Sequence, residues 1–405
     1  MNILQLCKKN PFPLKDGEAI AVVEMSRALV DQGCQMDLLA MNTFRHKTNI
    51  GNVLPAELAH YHEVTSVDVD NQIRLKDAFL NLFSQESYHI SRFVSEAFRL
   101  KLIDLLKNNH YDVIQLETLY LAPYLEDIKA HSDALIVMRA HNIEHEIWER
   151  IAGQIKFLPK RFYLDYLSKK LKNFELEKLN QYDFLVAITE RDLLQFKSMG
   201  YKNGCIAAPV GFHFPEYKAE RKDIKKPKSI AFIGSLDWMP NVEGLSWFLR
   251  EAWPKVQQKF PELKFYIAGR NAPESMSHIS STSVKYVGDV EDAKKFINDH
   301  PIMVVPLLAG SGIRIKILEG MALGRVVITT SVGLEGIPAQ HGKHVLLANT
   351  ADEFVKAIEK CILNEDIASQ ISLAAENFVR QKFDRSTMAS QIVEAYKQAL
   401  HAYHS

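Results

Sequence analysis

Cysteine is scarce in this chain of 405 residues. Cys7, Cys34, Cys205 and Cys361 stand far apart and form no Cys-x-x-Cys pair. A disulfide framework and a zinc ribbon are thereby excluded, and the four thiols read as reduced packing groups of a cytoplasmic protein. Net charge is missing too, with 49 Lys and Arg against 49 Asp and Glu. No global field draws the chain to nucleic acid or to an anionic membrane, so any such contact needs a local patch. No apolar run approaches the ~20 residues of a membrane-spanning helix. The opening Met1-Asn-Ile-Leu-Gln-Leu lacks the charged-then-apolar layout of a secretory leader. Neither the dinucleotide fingerprint G-x-G-x-x-G nor a Walker P-loop occurs, so dehydrogenase and P-loop ATPase readings lose support. His141-Asn-Ile-Glu-His145 inverts the order of a zincin motif. No metal ligand set is expected.

What is present is an alternation of short apolar strands, glycines and amphipathic helices. At ~100–200 residues per domain the length suits two domains, with three possible. The first βαβ unit reads as strand 2–6, helix 19–32 stopped by Gly33, and strand 36–41. Gly17, in the loop beyond the first strand, reads by itself as a plain loop glycine. Residues 45–90 lack a clear period, and the apolar cluster 77–83 reads as core or as a lip that meets a lipid or acceptor. Helices are expected at 90–107 and 120–130, and strands at 112–117 and 134–139. His141 follows the last of these, where parallel α/β sheets build their sites, although a lone histidine is as readily structural. A basic helix, 160–179, carries Phe162, Tyr163, Tyr166 and Phe174, and its cations read most simply as a solvated face rather than a lipid contact. The charged, proline-bounded segment 214–228 reads as an interdomain linker. A second α/β set follows it.

The chain is organised around Pro306-Leu-Leu-Ala-Gly-Ser-Gly-Ile-Arg-Ile-Lys-Ile-Leu-Glu-Gly-Met-Ala-Leu-Gly324. The apolar run 303–308 suits a buried parallel strand. Gly310, Ser311 and Gly312 let the backbone turn tightly beside a ligand. Ile313, Ile317, Leu318 and Met321 then fall at helical spacing until Gly324. A glycine turn feeding a helix N-terminus is a ready anion site. Arg314 and Lys316 add two cations, and Glu319 is placed to accept hydrogen bonds from hydroxyls. Phosphates plus a polyol describe a nucleotide sugar. Strand, glycine turn and helix occur throughout α/β proteins, so a purely structural turn stays open here.

The order of parts resembles the GT-B glycosyltransferases, specifically the retaining family 4. The stretches that carry the resemblance are the strand–loop–Gly17–helix opening, Arg139-Ala-His-Asn-Ile-Glu144, Phe232-Ile-Gly-Ser-Leu-Asp-Trp-Met-Pro-Asn241, Ile267-Ala-Gly269, Tyr286-Val-Gly288, Gly310 to Leu323 and Ser331-Val-Gly-Leu-Glu-Gly336. The resemblance implies two Rossmann-like, doubly wound α/β domains facing across a cleft. Residues 1–213 would be the acceptor side and 229–384 the donor side, with 385–405 a helix crossing back to the first domain. It implies that Glu319 holds the ribose of the donor, that His141 lines the sugar pocket, and that Gly17 leaves room for the phosphates. Gly234, Ser235, Gly310, Ser311, Gly312 and Ile313 would line the donor. Two places depart from the family pattern. Ser311 replaces the first glutamate of the Glu-x7-Glu signature, and Ser235, with Pro240-Asn241 downstream, stands where many relatives carry an arginine and then a lysine that clamp the diphosphate. Arg314 and Lys316 are expected to take over that clamp. The expected activity is metal-independent transfer, with retention, from a UDP- or GDP-sugar to a glycan or a lipid-linked sugar. No further cofactor and no nucleic acid is expected. The expected location is cytoplasmic, with peripheral contact at the inner membrane face left open. A nucleotide-sugar epimerase and a degenerate scaffold are the alternatives.

Overall fold

The computed structural model describes every residue except 15–16, 45–46, 49–52, 75–80, 82–83, 85, 156, 210, 220–226, 278, 311 and 404–405. The chain divides into two units, Met1–Gly211 with Arg385–Ser405, and Phe212–Asp384.

In the first unit seven parallel strands form one sheet. They are β1 (Asn2–Cys7), β2 (Gln35–Thr43), β3 (Glu63–Val69), β4 (Val113–Leu116), β5 (Leu135–Ala140), β6 (Phe184–Ala187) and β7 (Gly204–Ala207), in the order β3-β2-β1-β4-β5-β6-β7. β4 and β5 are buried along their whole length, the signature of strands covered by helices on both faces. The helices used below are α1 (Gly17–Asp31), α2 (Glu96–Asn108), α3 (Glu144–Gln154), α4 (Leu158–Lys178) and α5 (Glu190–Ser198). The C-terminal helix, Arg385–Tyr403, belongs to this unit. It buries Ala389, Ile392, Val393 and Tyr396 in the cluster that includes Val22, Val23 and Leu29 of α1. Arg385 at its start pairs with Glu24 and Asp31 at 3.0 and 2.8 Å.

The second unit holds β8 (Ser229–Ile233), β9 (Lys264–Ala268), β10 (Val284–Gly288), β11 (Ile302–Val305), β12 (Val326–Thr329) and β13 (Leu346–Leu347), all parallel, in the order β10-β9-β8-β11-β12-β13. Its helices include α6 (Met239–Trp247), α7 (Ile315–Ala322), α8 (Ala351–Leu363) and α9 (Glu365–Lys382). α8 starts on a capping box, Thr350 with Glu353. Both sheets are doubly wound, as expected from the sequence. Each reverses its winding once, between β1 and β4 and between β8 and β11. In open α/β sheets ligands bind at the carboxyl ends of the strands beside such a reversal.

Several local expectations change. β3 was not anticipated, because this edge strand, Glu-Val-Thr-Ser-Val-Asp-Val, is mostly half-exposed and lacks an apolar run. The helix expected over 90–107 is broken. A short turn ends at Ser91, and α2 begins only at Glu96, where the Ser95 hydroxyl accepts from Phe98 N. Pro123 holds the first part of the next helix as a 3-10 turn, Leu119–Tyr124. The first part of the expected linker 214–228 is packed rather than free. Phe214 and Tyr217 are buried with Phe212 in the core of the second unit, and the Arg380 guanidinium lies over Phe214 at 4.8 Å. Aromatic side chains outweigh the charges around them there. The cluster 77–83 lies almost wholly outside the described residues.

Candidate functional site

The loops after β8 and β11 flank the winding reversal of the second unit. The β11 loop runs from Pro306 to Arg314, with Gly310 at φ 128° and Gly312 at φ 78°. Those angles belong to the left-handed region that glycine tolerates best. Ser311 between them lies outside the described residues. α7 begins at Ile315, later than the apolar spacing implies, so Ile313 precedes the helix and packs half-buried against the core. Ile317, Leu318 and Met321 are fully buried.

Arg314 caps this helix with an extended backbone and is itself buried. Its guanidinium lies over the Trp238 ring at 5.2 Å and against Gly310, where a methyl group would come within 2.5 Å of Nη2. Lys316 reaches across to the β8 loop. Its Nζ donates to Asn241 Oδ1 at 2.7 Å and to the Ile233 carbonyl at 3.2 Å. A methyl group at Gly234 would stand 2.5 Å from that ammonium, so the Lys316 side chain would have to shift to admit it. Asn241 completes the stitch by donating to the Ser235 carbonyl at 2.8 Å. Burial lowers the Lys316 pKa to about 7, with Arg314 pushing the same way and Glu319 opposing. Glu319 is half-buried and accepts from the Tyr217 hydroxyl at 3.3 Å. Burial raises its pKa, against the pull of Lys294, Tyr217 and Lys316.

The Ser235 hydroxyl is already committed. It donates to Asp237 at 2.5 Å and accepts from Arg270 Nε at 3.1 Å. Arg270, from the loop after β9, therefore brings a guanidinium beside Ser235, which the sequence reading did not anticipate. Trp238 and Tyr217 were likewise not expected, and Asn241 was expected only as a departure from the lysine of the clamp. In this unit the structure brings Gly234, Ser235, Gly310, Gly312, Arg314 and Lys316 around one turn, with Glu319 one helical turn further on.

Gly17 and His141 belong to the first unit. Gly17 is the exposed first residue of α1, and His141 follows β5 and is buried. His141 Nε2 lies 2.8 Å from Glu117 Oε2, and the Arg139 guanidinium donates to the same oxygen at 2.9 Å. The other oxygen, Oε1, accepts from Gln5 and from Gln115. Burial favours the neutral acid, yet Arg139, His141 and Gln5 outweigh it and hold the Glu117 pKa at about 2. A carboxylate only accepts hydrogen bonds, so Nε2 of His141 carries the proton directed at it. Glu117 thus fixes the ring's orientation and tautomer. Further along, His145 Nδ1 meets Glu175 at 2.5 Å, and Glu175 also accepts from the Glu144 and His145 amides that open α3. Among the described residues, no three His, Cys, Asp or Glu side chains group as a metal site would require.

Residues 227–364 match the family model described as glycosyl transferases group 1. The chain is 24% identical over 310 residues to an uncharacterized 44.6 kDa protein in the cps region of Klebsiella pneumoniae, covering 73% of this chain and 76% of that one. Its fold is similar to that of a sucrose-phosphate synthase from Thermosynechococcus elongatus, with a TM-score of 0.73 at 14% identity, over 99% of this chain and 100% of the other. It is also similar to HepE of Anabaena, solved in complex with UDP and glucose, with a TM-score of 0.67 at 15% identity, over 98% and 100%. The fold is GT-B, and the class of activity is glycosyl transfer.

Proposed function

We propose that this glycosyltransferase binds a nucleotide-diphosphate sugar at the winding reversal of its second unit. The sugar is transferred to a glycan or lipid-linked acceptor with retention and without a metal. The observation that carries the reading is the convergence of Arg314 and Lys316 on the glycine turns at 234 and 310, one helical turn from the half-buried carboxylate of Glu319.

When the bond between the anomeric carbon and the β-phosphate oxygen breaks, that oxygen gains negative charge. Two cations and the opening of α7 stabilise the developing charge more than the ground state. Each such donor is worth ~2.7–4 kcal/mol by comparison with oxyanion-hole deletions. The acceptor hydroxyl attacks the anomeric carbon on the face that the phosphate leaves, and its proton passes to the departing phosphate oxygen. Cations thus do the work a divalent metal does elsewhere. Glu319 accepts from the ribose hydroxyls, and Arg270 adds a guanidinium beside the Ser235 turn. HepE, solved with UDP and glucose, makes UDP the first nucleotide to try, and GDP the second.

Calorimetry with UDP and GDP, then turnover with the matching sugar donors, tests the reading. Arg314→Ala should lower turnover by ~100-fold or more. Glu319→Gln should mainly weaken nucleotide binding while the melting temperature holds. Binding of neither nucleotide, or full turnover in both variants, would refute the site.

A further inference from the structure

The helical hairpin α3–α4 of the first unit ends in a surface that the donor site does not use. Phe157, Leu158 and Phe162 are 67%, 60% and 71% exposed there, and Tyr166 is 40% exposed. Leu158, Phe162 and Tyr166 are spaced four apart, so they form one stripe along α4. The opposite side of the same helix is buried through Leu167 and Leu171.

Charge is segregated along the hairpin. Residues 150–172 contain seven lysines and arginines and a single carboxylate, Asp165, although the chain as a whole has none in excess. Lys160, Arg161 and Lys169 are exposed beside the apolar stripe. The carboxylates of the hairpin, Glu144, Glu146, Glu149, Glu175 and Glu177, lie towards its base. The tip also carries the N-terminus of a 21-residue helix, whose dipole favours anions. The base is held rigid by the His145–Glu175 pair and by the Ser168 hydroxyl, which donates to the His145 carbonyl at 3.3 Å. From Ser168 to Leu158 the helix rises ~15 Å, so the tip stands clear of that anchor.

We propose that this tip is a membrane-docking surface for anionic lipid, with Phe157, Leu158 and Phe162 entering the headgroup boundary and Lys160, Arg161 and Lys169 meeting lipid phosphates. Aromatic and aliphatic side chains flanked by cations suit that boundary, ~5–10 Å deep. Arg161 has a partner at the tip, Asp165 at 3.9 Å, and a neutral surface would satisfy the stripe while offering no counter-charge to Lys160 and Lys169. α3 starts three residues after His141, so the same hairpin that anchors on the lipid leads directly to the His141 loop.

The full chain is mixed with vesicles of phosphatidylcholine alone or of phosphatidylcholine with phosphatidylglycerol, with no nucleotide present, and sedimented. The wild type should bind the anionic vesicles at least ~10-fold more tightly than the neutral ones, and raised salt should weaken the binding. F157S/L158S/F162S should lose ~10-fold or more of that affinity, and K160E/R161E likewise, with melting temperature and UDP calorimetry unchanged. Equal affinity for both vesicle types, no vesicle binding, or a triple variant that binds as the wild type does would overturn the proposal. So would a dimer in light scattering that the triple variant splits, since the surface would then belong to a second copy. The donor site plays no part in this measurement, so either proposal can fail without the other.

Discussion

Lys316 is held by two acceptors and a ring face in a site that burial makes unfavourable for charge, and its pKa falls to about 7. A diphosphate beside it favours the ammonium and raises that value. Between the free and bound values, binding must therefore take up a proton, and affinity must fall as pH rises above 7. The slope should approach tenfold per pH unit between about pH 7.5 and 8.5. Calorimetry of UDP in two buffers of different ionisation heat reads the proton directly, at a pH where the nucleotide's own phosphate is fully ionised. Lys316→Met should bind more weakly and lose both the buffer dependence and the pH slope, whereas Lys316→Arg, charged throughout, should lose both and keep the affinity. Unchanged proton uptake in Lys316→Met would place the linkage on another group. His141 offers a contrast at the same scale. Its partner Glu117 has a pKa held at about 2, so the carboxylate that orients the ring stays ionised across the working range.

At the scale of elements, the donor turn depends on how closely α6 approaches the strand end of β11. A methyl group on Gly244 would sit 2.2 Å from the Pro306 carbonyl oxygen, at the point where the 306–314 loop departs. Gly244→Ala should cost ~1–3 kcal/mol through overpacking. That outweighs the roughly 1 kcal/mol by which alanine is the better helix residue. UDP affinity should fall with it, because the loop moves. Gly153→Ala in α3 is the control, since a methyl there meets nothing within 4 Å and should be neutral or mildly stabilising. Equal melting temperatures for the two variants would show that the contact yields freely. Such approaches were invisible in the sequence, where Gly244 is one more glycine in a helix. The β11 strand, the glycine turn and the buried stripe Ile317, Leu318, Met321 were legible, because apolar period and glycine placement are local properties. Asn241 and Arg270 were not, because their meaning lies in partners from other loops. Glu117 does leave a trace in the sequence. Gln5, Gln115 and Arg139 lie within buried parallel strands and Glu117 at the end of one, where continuous apolar runs are the rule. Polar residues at such positions signal a buried network.

Over the whole molecule, the chain leaves the first unit at Gly211 and rejoins it at Arg385, so the last 21 residues complete a core begun by the first 43. That closure was expected from resemblance alone, since the amphipathic pattern of 385–403 says that it packs without saying on what. The structure ties this helix to more than apolar surface. The Tyr396 hydroxyl donates to Gln115 Oε1 at 2.7 Å, Gln115 donates to Glu117 at 2.5 Å, and Glu117 holds His141. Tyr396→Phe leaves the buried Gln115 oxygen without that donor and should cost ~1–3 kcal/mol. Ile392→Ala, which removes buried carbon from the same helix and touches no polar partner, should cost ~2–5 kcal/mol. Hydrogen exchange followed by mass spectrometry separates the two effects. Both variants should speed exchange in β1, β2 and α1, because their packing is shared. Only Tyr396→Phe should also loosen the segment after β5 that carries His141 relative to the rest of its unit. The second unit has its own cluster, from Ile230 to Ile371, and its exchange and UDP binding should stay at wild-type values in both. If Ile392→Ala loosens the His141 segment as much as Tyr396→Phe does, the hydroxyl chain carries no orientation to the site and the helix acts by packing alone.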